Sequence, residues 1–441
     1  MSWLRSATTS TGETVDVEIS GGVIRRVLPA AGGPVGPEDT DLSGHVLLAS
    51  FVEPHAHLDK ALTASLIHNP TGDLAGAVAA MDALRPETNR AELIARAEAA
   101  LRIHLAYGTT HIRSHVNVLS SVGLAALSAM VEVRERWRGI IDLQLVALVN
   151  DTSGPLLREA LKEGADVAGG CPHMEDDPDR AVAACLDAAG EAGAPIDLHT
   201  DETLNPTALS LVTLADLVTR TGFPHPVTAS HCVSLSMQPV DAQRTIAERV
   251  AEAGISVVAL PQTNLYLQGR DQPVATPRGL TAVAPLLRAG VTVAAGGDNL
   301  RDPFHVVGRG DALEVAALMV TCGHLDPVNA LYSVTTAPRT ALGLPAVSLA
   351  PGSPADLVAM PAGDALEALG AAGAARTVWR DGRVVARTVV RSELAAPAPP
   401  SPRAPASTPA PVPAPVPASA PASPSAPPAA TPDPCVPKAD R

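Results

Sequence analysis

The sequence predicts an α/β chain, a (β/α)8 TIM barrel flanked by a small β-sandwich domain that both chain termini build. Three observations lead there. Between residues 49 and 345, apolar strand-like runs alternate with helical patterns eight times. The stretches on either side alternate with period two instead, and glycines stand where most of the helical patterns end.

Residues 1–48 carry two short alternating pieces, Val15–Ile19 and Gly22–Val27, on either side of Gly21. Gly punctuation between period-two pieces reads as antiparallel strands. The pattern returns at 355–360 and 377–385, where Asp381-Gly382 occupies a two-residue hairpin position. Residues 1–48 and 346–394 are therefore expected to form the small domain, and 49–345 the barrel. Its strands are expected at 46–57, 109–117, 141–150, 167–174, 196–202, 227–233, 256–262 and 291–299. Helical patterns at 90–107, 124–137, 178–192, 206–220, 240–253 and 280–289 lie between them. From residue 395 to 441 the chain is almost all Ala, Pro and Ser, a Pro/Ala-rich tail that cannot bury a core and is expected to be disordered or extended. A tail without function of its own is favoured there over a tether or docking segment.

A net charge of -14 and a pI near 5.3 argue against nucleic acid or an anionic membrane surface as partner. The first twenty residues hold no apolar segment of the secretory kind, and no run of 18 apolar residues occurs anywhere, so a cytoplasmic protein is expected. A homo-oligomer is compatible with all of this. Cys171, Cys185, Cys232, Cys322 and Cys435 are odd in number and scattered, which suggests buried, reduced thiols rather than a disulfide framework.

Chemistry enters at Phe51-Val52-Glu53-Pro54-His55-Ala56-His57-Leu58-Asp59-Lys60. Side chains two apart on a strand face the same side, so His55 and His57 present adjacent imidazoles, a ligand pair for Zn²⁺ or Fe²⁺. Titratable residues also close later strands: His199-Thr200-Asp201-Glu202 on the fifth, Ser230-His231-Cys232 on the sixth, Gly296-Gly297-Asp298-Asn299 on the eighth. The C-terminal ends of barrel strands meet at one mouth, so His55, His57, His199, His231 and Asp298 can converge. His111, Arg113 and His115 share one face of the second strand and could support the site or form a polar layer inside the barrel. His173 follows the fourth strand, on the side where loops line the pocket. Lys60 could meet an anionic substrate group or neutralise Asp59. The histidines at 45, 68, 104, 225, 305 and 324 are expected to be surface or hydrogen-bonded residues.

These segments, together with LPQTNLYLQGR and GGDNLRDPF, resemble the amidohydrolase superfamily and, within it, the cytosine deaminase group, over roughly residues 45–345. The resemblance implies that His55, His57, His199 and Asp298 hold one divalent metal ion, zinc or iron. It places His231 beside water activated on that ion and makes Glu202 the proton shuttle, with Asp298 taking the first proton. The implied function is a metal-dependent hydrolytic deaminase acting through a metal-bound hydroxide on a cyclic amidine such as cytosine or a related aminopyrimidine or aminotriazine. A sister group implies an alternative, an N-alkyl aminotriazine amidohydrolase that releases an alkylamine. A non-catalytic binding barrel is a third reading, opposed by retention of all six of these residues. Two-metal members of the superfamily need a lysine closing the fourth strand, and the lysines here, Lys60, Lys162 and Lys438, do not stand there. The substrate pocket departs from the cytosine deaminase pattern: Asn150 replaces a glutamine, Asn299 a second aspartate and Phe304 a tryptophan. An amide shorter by one methylene moves its donor and acceptor by ~1.5 Å, enough to break a hydrogen bond. Asn150, His173, Asn299 and Phe304 are the expected substrate contacts.

Overall fold

In the computed structural model, which describes residues 2–394 apart from 33–34, 86–87, 120–122 and 151–153, the first apolar run divides at Ser50. The residues before Ser50 join one sheet and those after it another. Ser50 can sit at this crossing because its polar groups are matched: its N–H donates to the Asp356 carbonyl at 2.9 Å, and its Oγ lies 2.7 Å from Thr110 Oγ1.

The first sheet draws on both termini. It contains β1 (Ser2–Thr8), β2 (Thr14–Ser20), β3 (Val23–Pro29), β4 (Thr40–Asp41) and β5 (His45–Ala49) from one end of the chain. The strands following the barrel complete it. Eight parallel strands make the barrel: β6 (Phe51–Ala56), β7 (Thr109–Val118), β8 (Asp142–Val149), β9 (Val167–Gly170), β10 (Ile196–Thr200), β11 (Val227–His231), β12 (Ser256–Ala259) and β13 (Val293–Ala295). The last three strands are β14 (Leu357–Pro361), β15 (Arg376–Arg380) and β16 (Arg383–Thr388).

The terminal sheet runs β16-β15-β14-β5-β1-β2-β3, with β4 paired to β1. The expected β-sandwich is thus one continuous sheet around its own apolar cluster, which includes Leu4, Val17, Ile24, Leu47, Leu357 and Trp379. The expected hairpin at Asp381-Gly382 forms, and β2 and β3 make another at Gly21-Gly22. Gly21 and Gly22 have φ of 63° and 79°, and Asp381 and Gly382 have 48° and 71°, the left-handed pair that a tight two-residue turn requires. The barrel strands are neighbours in sequence order from β6 to β13. The ring is closed where the Asp298 N–H donates to the His55 carbonyl at 3.0 Å. A Cβ on Gly296 would meet Glu53 Oε1 at 2.5 Å, so this join requires a residue without a side chain.

Leu198, Ile196, Ala229 and Val257 are fully buried, and the barrel's helices pack around such positions. Several helices stop at left-handed glycines as expected, for example Pro178–Ala192 at Gly193 and Ser210–Thr221 at Gly222. The run read as strand over 256–262 ends early, because Pro261 opens a helix, Pro261–Leu267. No helix of the described residues is long and apolar enough to cross a membrane. Residues Met1–Val390 form one compact unit. The tail at 395–441, with Cys435, lies outside the described residues.

Candidate metal centre and active site

His55 lies near the end of β6 and His57 just past it, and both rings turn into the barrel mouth. Their Nε2 atoms each lie 3.1 Å from His199 Nε2, at the end of β10. Asp298 Oδ1, beyond β13, is 3.3 Å from His57 Nε2 and 3.7 Å from His55 Nε2. None of the four residues is more than 5% exposed.

At His55 the proton is directed away from this point. Ser230 Oγ donates to Asp197 Oδ1 at 2.9 Å, so it accepts from the Nδ1–H of His55, also at 2.9 Å. His55 Nε2 is then left with a lone pair. Burial, reinforced by neighbouring imidazoles, pushes His55 and His199 well below the usual histidine range, and burial also lowers His57. Burial raises the Asp298 carboxyl, yet the adjacent His57, His231 and Lys60 outweigh it and hold the group below its ordinary value. Three imidazoles held neutral and a carboxylate therefore converge on one place, and Asp298 Oδ1 has no well-aligned donor among the described residues. A buried acceptor left so costs ~1–3 kcal/mol, which a cation offsets. A set of three imidazole nitrogens and one carboxylate oxygen fits a divalent ion such as zinc or iron, so these residues could hold one.

Two further titratable groups face the same spot. His231 ends β11 with its Nε2 at 3.9 Å from Asp298 Oδ2. Its Nδ1 lies 3.0 Å from Asn264 Oδ1 and 3.6 Å from Glu202 Oε1. Asn264 sits on the helix that Pro261 opens, and its carbonyl oxygen can accept only an N–H, which directs the His231 Nδ1 proton toward it. Burial pushes the Glu202 carboxyl up to about 7, against the pull of His231. Asp201, His231 and Asp298 have φ of 52°, 68° and 61°. Left-handed backbone at three non-glycine positions, each at or beyond a strand end, is strain of the kind that clusters at functional sites.

The sequence matches the amidohydrolase family over residues 63–386. The chain belongs to that family. It is therefore a hydrolase acting on carbon–nitrogen bonds. A pterin deaminase of Rhizobium rhizogenes is 37% identical to this amidohydrolase over 389 residues, 85% of this chain and 88% of that protein. The crystal structure of 5-methylcytosine deaminase from Klebsiella pneumoniae, liganded with phosphonocytosine, matches with a TM-score of 0.83 at 28% identity, covering 89% of this chain and 100% of that one. The structure of N-isopropylammelide isopropylaminohydrolase from Burkholderia multivorans matches with a TM-score of 0.76 at 31% identity, covering 88% and 98%.

A cavity of about 130 Å³ opens onto the amidohydrolase's histidine cluster. Its walls include His57, His199, Glu202, His231 and Asp298, and, among the expected substrate contacts, Asn150, Asn299 and Phe304. Both ends of the Asn299 amide are already engaged, the nitrogen donating to Asp302 Oδ2 at 2.8 Å and the oxygen accepting from Thr263 Oγ1 at 3.2 Å. His173 is not among the lining residues; its Nδ1 lies 3.2 Å from the His199 carbonyl, behind the cluster. Of the three titratable residues on β7, two lie behind the site. The His115 ring stacks on His55 with centroids 3.8 Å apart, and Arg113 Nη1 donates to Asp197 Oδ2 at 2.8 Å. His111 belongs to the other end of the barrel, 3.6 Å from Asp142.

Asp197, Ser230, Asn264 and Glu53 escape a reading by motif alone. Strand parity carries a signal for one of them: Asp197 stands two before His199 on β10 and so faces the same way. Two corrections concern residues outside the cluster. His104 is buried, with an Nδ1 that has no partner among the described residues. Cys171 and Cys322 are partly exposed rather than buried.

Proposed function

We propose that this amidohydrolase deaminates a cyclic amidine, an amino-substituted pyrimidine, triazine or fused pterin ring, with one zinc or iron ion held by His55, His57, His199 and Asp298. The observation that carries the proposal is the convergence of three Nε2 atoms on the Asp298 Oδ1, beside a carboxyl poised near neutrality. Such an ion, when bound, supplies Lewis acidity that lowers the pKa of water toward ~7. Asp298 accepts the proton that the attacking water gives up, and His231 Nε2, facing Asp298 Oδ2, lies where it can share that proton. Glu202, protonated below about pH 7, donates to the ring nitrogen next to the attacked carbon. The exocyclic amine then leaves as ammonia from the tetrahedral carbon. Asn150 and Phe304 shape the ring pocket, while His173 and Asn299 hold His199 and the Asp302 loop in place.

The pterin deaminase and 5-methylcytosine deaminase relatives support a ring amine as leaving group. The likeness to N-isopropylammelide isopropylaminohydrolase supports a second reading in which an alkylamine leaves. Unbridged thiols at Cys171, Cys232 and Cys322 favour a cytoplasmic setting.

Ammonia and alkylamine release from aminopyrimidines, aminotriazines, pterins and N-alkyl aminotriazines, assayed with zinc- and iron-loaded protein, tests both readings. Ammonia from at least one ring is expected. Release of alkylamine alone selects the second reading, and a loaded protein inert on the whole panel overturns both.

A further inference from the structure

The first and last barrel strands, β6 and β13, share no ladder among the described residues. They meet at one bridge, Ala56 beside Asp298, so the seam of the barrel runs between the two segments that deliver His55 and Asp298. β13 is three residues long, and its last ladder pair sets Ala295 against Ala259 of β12. The Gly296 N–H still donates to the Ala259 carbonyl at 3.0 Å, but the next two N–H groups, of Gly297 and Asp298, turn across the seam.

Glu53 receives the first of them. It stands two before His55 on β6, so its side chain enters the barrel on the same face, one layer deeper. Its Oε1 accepts the His55 N–H at 3.1 Å, and its Oε2 accepts the Gly297 N–H at 2.9 Å. A Cβ on Gly296 would stand 2.5 Å from Oε1 and one on Gly297 3.1 Å from Oε2, so the backbone opposite carries no side chain where the carboxyl reaches it. The group is 6% exposed, and among the described residues no basic side chain is paired with it. A carboxylate accepts at both oxygens, whereas the matching amide would accept one N–H and set its own N–H against the other.

We infer that Glu53 is a positioning residue of the metal centre, a clasp across the seam that sets the spacing of His55 and Asp298. This rests on the reading of His55, His57, His199 and Asp298 as a metal site. The clasp is a closed path. Glu53 holds the His55 N–H, the His55 carbonyl accepts the Asp298 N–H at 3.0 Å, and Gly297, next to Asp298 in the chain, returns to Glu53. Asp298 has a left-handed backbone, φ 61°, which needs such support at a residue with a side chain.

The test uses the full-length chain and measures Zn²⁺ affinity by chelator competition in wild type, Glu53→Gln and Glu53→Asp. Gln keeps the shape and loses one acceptor. Asp keeps the charge and draws the carboxylate back by ~1.5 Å, too far to hold both donors. A positioning role predicts a ~10- to 100-fold loss of affinity in both variants. If the negative charge alone aided the ion, only Glu53→Gln would lose affinity, and that result overturns the inference. Co²⁺-loaded protein gives a second readout, because its visible absorption bands follow ligand geometry. The bands should differ from those of wild type in both variants, and unchanged bands would overturn the inference as well. Ion-free variants are expected to fold; unfolding of both would make Glu53 a tie of the barrel alone and overturn the inference. Wild-type affinity kept by both variants sinks the inference and leaves the metal reading standing, whereas wild-type protein that takes up neither ion sinks the two together.

Discussion

The barrel buries charge at both ends and treats it in opposite ways. At the end next to the terminal sheet, acids meet bases. Arg376, 2% exposed, donates to Asp311 Oδ2 at 2.8 Å, and Arg380 Nη1 reaches both oxygens of Asp356 at 2.8 Å. Arg339 donates to Ser50 Oγ at 3.1 Å, at the point where the chain passes between sheets. At the mouth, Asp298 Oδ1 and His231 Nε2 are also buried, yet among the described residues neither has a well-aligned hydrogen bond. The first end spends its polar groups on holding the two sheets together. The mouth keeps them uncommitted, which costs stability and leaves them available to an ion and a ring.

The widest separation between the two ends should come from carboxyl removal at the mouth. Glu202→Gln is expected to lower kcat roughly 10²- to 10⁴-fold, the usual contribution of a placed general acid, while its metal content and melting temperature stay near those of the wild type. Metal analysis and steady-state kinetics on one preparation check it, and undiminished turnover would remove Glu202 from the mechanism. The opposite outcome is expected at the sheet junction. Arg376→Met strands Asp311 in the interior and should cost ~3–5 kcal/mol in denaturant unfolding, with kcat of the folded protein unchanged. A kcat that fell together with stability would show that the two ends are coupled.

A smaller effect tests whether the mouth's uncommitted atoms depend on committed ones behind them. Arg113, Asp197 and Ser230 form a chain ending at His55 Nδ1. Breaking it with Ser230→Ala frees the His55 ring to take the wrong tautomer, and the expected loss is ~10- to 100-fold in metal affinity by chelator competition. Unaltered affinity would mean that packing against His115 alone orients the ring.

The same contrast explains what could be read from the sequence. His199, His231 and Asp298 are legible because each is a titratable residue closing an apolar run, where a barrel strand must deliver it to the mouth. His55 and His57 are legible from their spacing. The partners behind them are not: Arg113 and Asp197 are 84 residues apart, and only the closed barrel, with β7 and β10 facing each other across its interior, brings them within 2.8 Å. Ser230 reads as a small residue beside a histidine until that arrangement gives it a role. The passage from β5 to β6 was hidden because residues 46–52 are apolar on both sides of Ser50, so one run served two sheets. The Pro261 helix was hidden for a related reason, since its buried face continues the apolar stretch of β12.

The mildest effect is in pH, and it separates the ends without changing a contact at the junction. Burial lifts Glu202 from the ordinary glutamate value to about 7. In the folded protein the group therefore keeps its proton over the interval from about 4.5 to about 7, where the unfolded chain has lost it. More protons bound in the folded state means that stability falls as pH rises through this window. Over the range from pH 5 to pH 8 the melting temperature of ion-free wild-type protein should therefore fall relative to that of Glu202→Gln. Activity follows the same proton: the donating form is lost above about pH 7, so kcat/KM should fall toward ~tenfold per pH unit on the alkaline side. Paired arginines at the junction do not titrate there, so Arg376→Met should shift the whole melting curve downward and leave the pH slope as it was. A slope that vanished in Arg376→Met and survived in Glu202→Gln would place the titrating group at the junction instead of the mouth.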